Sequence, residues 1–140
     1  MKIALLIICL CFLSTFSKAQ KKPLPSSNMM IGKEIYVKHC MTCHQVDGVG
    51  AQNMIPPLIK TDYVLGEKQR LIKILLNGLK GDINVNGDMY SGEMPSQALL
   101  KDDEIAAVLT YVRKSFGNSA SPVTIKDVRR VRATNKTVSK

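Results

Sequence analysis

Three segments of the chain repeat apolar residues every three or four positions, which is the spacing of one face of an α-helix. They predict helices over about residues 29–42, 67–79 and 102–116. Asn28 is the expected N-cap of the first helix, and Gly117 is the expected C′ residue of the third. The apolar positions are Ile31, Ile35 and Tyr36 in the first helix, Leu71, Ile72, Leu75, Leu76 and Leu79 in the second, and Ile105, Val108, Leu109, Val112 and Phe116 in the third.

Between the second and third helices the sequence predicts a small hairpin. Asn86 and Gly87 stand inside an alternating run over residues 83–90, and Asn-Gly in that setting is the strongest short hairpin signal. Residues 45–60 are rich in glycine and proline, and residues 91–95 end in a proline, so we expect ordered loops in both places.

A short final helix is also expected. Thr124 and Asp127 form a loose version of a capping box, which marks a helix N-terminus. Val128 and Val131 follow at a spacing that would pack one helical face against the rest of the protein.

The first 19 residues have the pattern of a secretory signal peptide. Lys2 gives a positive start, residues 3–16 are apolar, and Ser17 and Ala19 are the small residues of a cleavage site. The apolar run of about 14 residues is shorter than the ~20 that a bilayer-spanning helix needs, and an uncleaved anchor is the alternative. Cleavage would deliver the chain to the periplasm, and residues 20–28 would form a flexible lead-in.

The charge balance is basic. The chain has 20 Lys and Arg residues against 11 Asp and Glu, a formal net charge of +9, which falls to +7 when Lys2 and Lys18 leave with the signal. Much of the excess lies in a basic extension over residues 119–140. An exported protein with few aromatic residues suits acidic protein partners better than nucleic acid. The basic residues of the extension are Lys126, Arg129, Arg130, Arg132, Lys136 and Lys140, against the single acid Asp127.

The clearest chemistry lies in Cys40, Cys43 and His44, which form a C-x-x-C-H motif. In c-type haem attachment the two thiols bond to the porphyrin and the adjoining imidazole ligates the iron. These are the only cysteines left after signal cleavage, so no disulfide framework is available. A zinc site would normally need four protein ligands, and the only obvious candidates are His39 and the residues of this motif, where His39 and His44 crowd the same segment. A thioredoxin-like dithiol would open a helix, whereas this motif closes one.

A methionine is the expected sixth ligand, because a thioether stabilises ferrous iron. Met94 is the candidate: it lies 50 residues after His44, in a loop before a proline that restricts the backbone. Met54 and Met89 are its rivals, and any of the three could instead fill a core. His39 adjoins an attachment cysteine and is expected at the surface.

The order of thiols, histidine, loop, helix, methionine loop and C-terminal helix resembles the class I c-type cytochromes over about residues 30–118. The resemblance implies an all-α domain over residues 29–118, with about three to five helices around one covalent haem c and a small β-hairpin before the methionine loop. It also implies His44 and Met94 as the axial ligands of the iron. The matching residues beyond the attachment motif are Gly48, Gly50, Pro56, Pro57, Leu58, Met94, Pro95 and the last helix around Ile105 to Tyr111.

The resemblance assigns roles to further residues. In this family a proline carbonyl accepts the Nδ1–H of the proximal histidine, and Pro56 fits that position best. The first and last helices of the family cross through a glycine and an aromatic residue. Gly32 and Tyr36 would fill those roles against Leu109 or Tyr111.

The stretch over residues 78–95 is similar to periplasmic cytochromes and cytochrome domains found with copper nitrite reductases and quinoprotein dehydrogenases. The expected function is therefore outer-sphere electron transfer rather than catalysis. Lys38, Lys60 and Lys80 are candidates for steering redox partners with acidic docking surfaces. The alternative is a haem subunit of a larger dehydrogenase or reductase. A peroxidase-like or gas-binding protein is less favoured, because no distal histidine or arginine pair stands out near Met94.

Overall fold

A computed structural model describes residues 27–135; the predicted signal peptide, most of the lead-in and the last five residues lie outside this range. The elements in chain order are α1 (Ser27–His39), α2 (Met41–His44), α3 (Asp62–Leu65), α4 (Lys68–Asn77), β1 (Ile83–Val85), β2 (Asp88–Tyr90), α5 (Asp102–Lys114) and α6 (Ile125–Thr134). The predicted all-α class is confirmed, and the single-turn helices α2 and α3 bring the described helices to six. None of these helices has the length and hydropathy that a membrane-spanning helix requires.

Helices α1 and α5 cross in direct backbone contact, and Gly32 makes the crossing possible. A Cβ atom on Gly32 would lie 2.3 Å from the carbonyl oxygen of Ala107 and 2.8 Å from the Cβ of Tyr111. Only glycine leaves room for so close an approach. The predicted pairing of Gly32 with Tyr111 is confirmed. Leu109, the other predicted partner, lines the cleft described below.

Three aromatic rings brace the same crossing. Tyr36, which is 1% exposed, has its ring centroid 5.5 Å from that of Tyr111 and 5.3 Å from that of Phe116. The rings of Tyr111 and Phe116 meet edge to face at 5.7 Å. Such pairs contribute about 0.5–1.5 kcal/mol each beyond the burial of their area.

The helix ends differ from the predictions in detail. Asn28 lies inside α1 rather than capping it. Helix α5 ends at Lys114 with Ser115 as its C-cap, so Gly117 is the C″ residue rather than the predicted C′ residue. Phe116 occupies C′ with a left-handed φ of 56°, and its ring lies against Gly48, where an added Cβ would be 2.9 Å away. The packing of this ring explains why a residue other than glycine is tolerated there.

The C-terminal helix is part of the folded body. Val128 and Val131 are buried, as predicted, and α6 packs against α4 and α5. Its N-terminus is a complete capping box: the Thr124 hydroxyl accepts from the Asp127 N–H at 3.1 Å, and the Asp127 carboxylate accepts from the Thr124 N–H at 3.1 Å. The two valines are therefore not free to form an interface with another protein.

A buried arginine ties the start of this C-terminal segment to the body. Arg113 is 3% exposed and donates to the carbonyl oxygens of Val64 at 2.6 Å, Gly66 at 2.9 Å and Ser121 at 2.8 Å. Burial lowers the pKa of Arg113, and these carbonyl acceptors replace the water that the guanidinium has lost.

Candidate functional site

One cleft brings together all five residues singled out in the sequence: Cys40, Cys43, His44, Pro56 and Met94. Aliphatic side chains of α4, α5 and the hairpin form part of its wall, among them Leu71, Leu75, Ile83, Val85, Val108 and Leu109. The lining carries little charge, so a bound group would be held in a medium of low dielectric constant.

The attachment segment is a helical turn set just beyond α1. The Cys40 N–H donates to the Tyr36 carbonyl at 2.8 Å, and the single turn of α2 then brings the His44 N–H to the Cys40 carbonyl at 2.9 Å. The Tyr36 hydroxyl donates to the carbonyl oxygen of Gln45 at 2.6 Å, which fixes the chain beyond the motif. Cys43 is exposed and Cys40 is half-buried against the core.

The Pro56 carbonyl holds the His44 imidazole in one orientation. Its Nδ1 lies 3.2 Å from the carbonyl oxygen of Pro56, which can only accept, so Nδ1 is the donor and the lone pair of the neutral ring lies on Nε2. Burial lowers the pKa of His44, and the hydrogen bond to Pro56 opposes this to a smaller extent. A neutral imidazole with its second nitrogen so oriented has the form that a metal ligand requires.

The position of the Pro56 carbonyl depends on a tight turn in the preceding loop. Ala51 and Ile55 exchange two backbone hydrogen bonds, at 2.9 and 2.8 Å. Gly50 lies against this turn with φ +69°, and a Cβ there would be 2.3 Å from the Ile55 carbonyl oxygen and 2.8 Å from that of Pro56. Both the backbone conformation and the space therefore require glycine at this position.

Met94 enters the cleft from a loop that is paired with the end of the preceding helix. Met94 and Leu79 exchange two backbone hydrogen bonds of 2.9 Å, forming an isolated antiparallel bridge. Gly78 permits the close approach, because a Cβ there would lie 2.5 Å from the Met94 carbonyl oxygen. Met94 is half-buried against the core and lines the same cleft as His44.

The rival methionines lie elsewhere. Met54 is 60% exposed and Met89 is 53% exposed, and neither lines the cleft. The Met89 sulfur lies 3.7 Å from the side-chain amide nitrogen of Asn84, across the hairpin. His39 is exposed, as predicted, although it is also among the residues that line the cleft. The geometry thus favours Met94 over Met54 and Met89.

The Cys40 thiol lacks the lowered pKa that a redox-active dithiol requires. Burial, and to a smaller extent the neighbouring Cys43, raise the pKa of the free Cys40 thiol to about 11. Reactive cysteines of thioredoxin-like sites have pKa values lowered towards neutrality or below.

Among residues 27–135, no three His, Cys, Asp or Glu side chains come together as a group that could hold a metal ion.

The structure also shows a site residue that the sequence did not reveal. Asn118 is buried, its side-chain NH₂ donates to the carbonyls of Leu58 and Val112 at 2.8 Å each, and its Oδ1 accepts from the Lys60 N–H at 2.7 Å. It thereby fastens the proline loop to α5 from 60 residues away. A lone asparagine after a helix has no local pattern that could announce this role.

The residues of the cleft fit a covalently attached haem. Two thiols three positions apart adjoin an imidazole whose free nitrogen can ligate iron, and a thioether lines the same apolar space. A porphyrin is a large apolar plate, so aliphatic walls of this kind match its faces.

Comparisons with known proteins agree with this chemistry. The family model described as cytochrome c matches residues 29–116. Cytochrome c-552 of Thermus thermophilus is 40% identical over 111 residues, which cover 73% of this chain and 84% of the relative. The cytochrome c subunit of the quinone alcohol dehydrogenase of Gluconobacter oxydans is 30% identical over 77% of this chain, and that of the gluconate 2-dehydrogenase of Pantoea cypripedii is 35% identical over 72%.

The likeness differs in extent between these relatives. This chain spans only 23% and 24% of the two dehydrogenase subunits, so it corresponds to one part of each. The predicted resemblance to cytochromes of quinoprotein dehydrogenases is nevertheless confirmed. The chain belongs to the cytochrome c family, whose members carry covalently bound haem c.

Proposed function

We propose that this chain is an exported electron carrier whose single haem c is attached through Cys40 and Cys43, with His44 and Met94 as the axial ligands. The observation that carries the proposal is the convergence of these four side chains in one apolar cleft. When bound, haem c supplies an iron that passes one electron between its ferric and ferrous states.

The protein supports this function by holding both ligands in place. His44 is oriented by the Pro56 carbonyl, and Met94 is anchored by its two hydrogen bonds to Leu79. Because neither side chain needs to move between oxidation states, little of the protein reorganises with each transfer. A thioether ligand and a cleft poor in charge both favour the ferrous form.

The proposal includes docking to redox partners with acidic surfaces. Lys38 and Lys60 are exposed and available for such contacts. Lys80 is also exposed, but its ammonium lies 2.7 Å from the carboxylate of Glu93, which reduces its charge towards a partner. Exposed charges of this kind steer encounters and are screened by salt.

The ligand assignment is tested by replacing three methionines in turn. In the ferric holoprotein, the weak far-red band of methionine-ligated haem should be present in the wild type and absent from Met94→Ala. Met54→Ala and Met89→Ala remove equally large side chains that are exposed, so both should keep the band. Loss of the band in either control, or its survival in Met94→Ala, would overturn the assignment.

Covalent attachment is tested on the unfolded holoprotein. In acidified organic solvent, haem joined through thioether bonds should remain with the polypeptide, and one haem should be recovered per chain. Haem that is extracted freely would contradict the roles proposed for Cys40 and Cys43.

The alternative is that the chain acts as the haem subunit of a larger dehydrogenase or reductase. The likeness to dehydrogenase cytochrome subunits favours it. Size-exclusion chromatography of a native periplasmic extract, followed by haem absorbance, separates the two possibilities. A carrier elutes at the size of this chain alone, whereas a subunit elutes with an enzyme. Haem absorbance that is missing from the periplasmic fraction would contradict the proposed export.

A further inference from the structure

The loop that carries Met94 is fastened at three places. Its start is paired with Leu79, as described above. Its middle is joined to the end of α4, where the Ser96 hydroxyl donates to the Leu76 carbonyl at 2.7 Å and the Gln97 N–H donates to the Leu75 carbonyl at 2.7 Å. The third fastening, at residues 98–100, comes from the C-terminal helix α6.

Arg132 of α6 forms this third attachment through all three nitrogen atoms of its guanidinium. Its Nη2 donates to the Leu100 carbonyl at 2.8 Å and its Nη1 to the Ala98 carbonyl at 3.1 Å. Its Nε donates to a carboxylate oxygen of Asp102 at 2.7 Å. The side chains of Arg132 and Asp102 are 35% and 26% exposed, so these bonds are partly shielded from water. The planar guanidinium has N–H donors in fixed directions that match these three acceptors, and the ammonium of a lysine could not bond to all three in this geometry.

The fastened segment has few other anchors. Ala98 is exposed, and the side chain of Leu99 is fully exposed at 102%, so neither holds the loop by burial. Leu100 is buried, and Lys101 then begins the capping of α5 through its N–H, which donates to Glu104 at 2.7 Å. The carbonyls of residues 98 and 100 therefore depend on Arg132 for their contact with the body.

We propose that Arg132 is a positioning residue for the sixth iron ligand: by holding the far end of the methionine loop, it resists replacement of Met94 by competing ligands. The inference rests on the proposed assignment of Met94. It gives the C-terminal helix a part in the haem site, although α6 contributes no residue to the cleft itself.

Arg129 offers a matched control on the same helix. It pairs with the same Asp102 carboxylate, but at 3.6 Å and with a side chain that is 73% exposed. Among the described residues it has no hydrogen bond to the methionine loop. Arg129→Gln and Arg132→Gln therefore remove the same charge one helical turn apart, and only the second removes the contacts with residues 98 and 100.

The test is a titration of each ferric holoprotein with imidazole, followed by loss of the far-red methionine band. We expect imidazole to displace the methionine at roughly tenfold lower concentration in Arg132→Gln than in the wild type, which corresponds to about 1.4 kcal/mol. Arg129→Gln should stay within about twofold, as is typical of exposed ion pairs. Amide hydrogen exchange at Gln97 and Leu100 should also be faster in Arg132→Gln alone.

A second variant keeps the test independent of overall stability. Arg132→Lys keeps the charge opposite Asp102 and should unfold close to the wild-type temperature, yet it should still admit imidazole several times more readily because the guanidinium is lost. Equal imidazole affinities in the wild type and the Arg132 variants, or equal changes in the Arg129 and Arg132 variants, would overturn the proposal.

The Met94→Ala spectrum separates this failure from failure of the ligand assignment. If Met94→Ala keeps the far-red band, the assignment falls and this inference falls with it. If Met94→Ala loses the band while Arg132→Gln behaves like Arg129→Gln, only the role of Arg132 is overturned.

Discussion

Single residues in the haem site act chiefly through backbone geometry. The carbonyl of Pro56 orients the His44 ring, and Gly50 sets the place of that carbonyl by leaving space beside it. In the same way Gly78 lets the Met94 carbonyl approach the end of α4. The two proposed ligands are thus positioned by backbone carbonyls, which a side-chain substitution cannot remove. A substitution at the adjoining Gly50 or Gly78 would instead displace these carbonyls.

Gly50→Ala should destabilise the holoprotein by about 2–4 kcal/mol. The substitution combines the strain of a left-handed backbone, about 1 kcal/mol or more, with a clash against the Ile55 and Pro56 carbonyls. Gly81→Ala is the matched control, because its φ is +86° and nothing lies within 4 Å of the added Cβ. Denaturant unfolding of both variants gives the comparison, and equal losses of stability would contradict the proposed crowding around Pro56.

Among the described elements, α1 and α5 share the most extensive contact. Gly32 lies where the two backbones touch, and Tyr36 extends the same contact towards the cleft. The attachment motif begins directly after α1, so a shift of this helix would move Cys40 and His44 as well.

Gly32→Ala tests this crossing, because its effect on the free energy of unfolding should have the opposite sign from its effect in an isolated helix. In an unpacked helix the substitution should stabilise by about 1 kcal/mol, because alanine is the better helix former. Here we expect a loss of about 2 kcal/mol or more, since the added Cβ would lie 2.3 Å from the Ala107 carbonyl oxygen. The thermal midpoint of the holoprotein provides the measurement, and a midpoint equal to or above that of the wild type would refute the close crossing.

The capping box of α6 predicts a specific pH dependence. Hydrogen bonds from Thr124, and the nearby charges of Lys68 and Arg130 to a smaller extent, lower the pKa of Asp127. A carboxylate with a lowered pKa stabilises the fold above its ordinary value of about 3.9, and this contribution is lost as the pH falls through the lowered value. Asp127→Asn should therefore cost about 1 kcal/mol near neutral pH and progressively less in acid.

Asp103→Asn is the control for that experiment. Asp103 carries the same charge at the start of α5 but is exposed, so its substitution should change stability by less than about 0.5 kcal/mol. Denaturant unfolding at a series of pH values gives both curves. A cost of Asp127→Asn that stays constant from neutral pH into acid would argue against the capping carboxylate.

The sequence revealed the elements better than the connections between them. Helical spacing identified Leu71, Ile72, Leu75 and Leu76, all buried in α4, and Asn86-Gly87 identified the hairpin. The helical spacing predicted that the first helix continues to residue 42, whereas α1 ends at His39, because Cys40 leaves helical geometry and starts a separate turn. The contacts of Arg132 and Asn118 with distant carbonyls were missed, because a side chain that bonds to backbone more than 30 residues away leaves no periodic signal.

At the scale of the whole molecule, the fold is a set of helices and loops arranged around an apolar cleft. The cofactor would occupy the space where a larger domain would place more core, which suits a chain with few aromatic residues and no disulfide among its described part. Helix α6, which belongs to the basic C-terminal extension, packs against α4 and α5. Arg129, Arg130 and Arg132 of this extension all form ion pairs with carboxylates of the same chain, which reduces the positive charge that they present to a partner protein.

A spectroelectrochemical titration of the wild-type holoprotein directly tests whether His44 and Met94 stay bound to the iron in both oxidation states. We expect one reversible one-electron transition between ferric and ferrous forms that are both low-spin, with the same potential in the oxidative and reductive directions, because both ligands are kept. The far-red methionine band should fade with a single midpoint as the iron is reduced. A high-spin ferric spectrum, or a difference between the two directions that signals ligand exchange, would contradict an electron carrier with His44 and Met94 as fixed ligands.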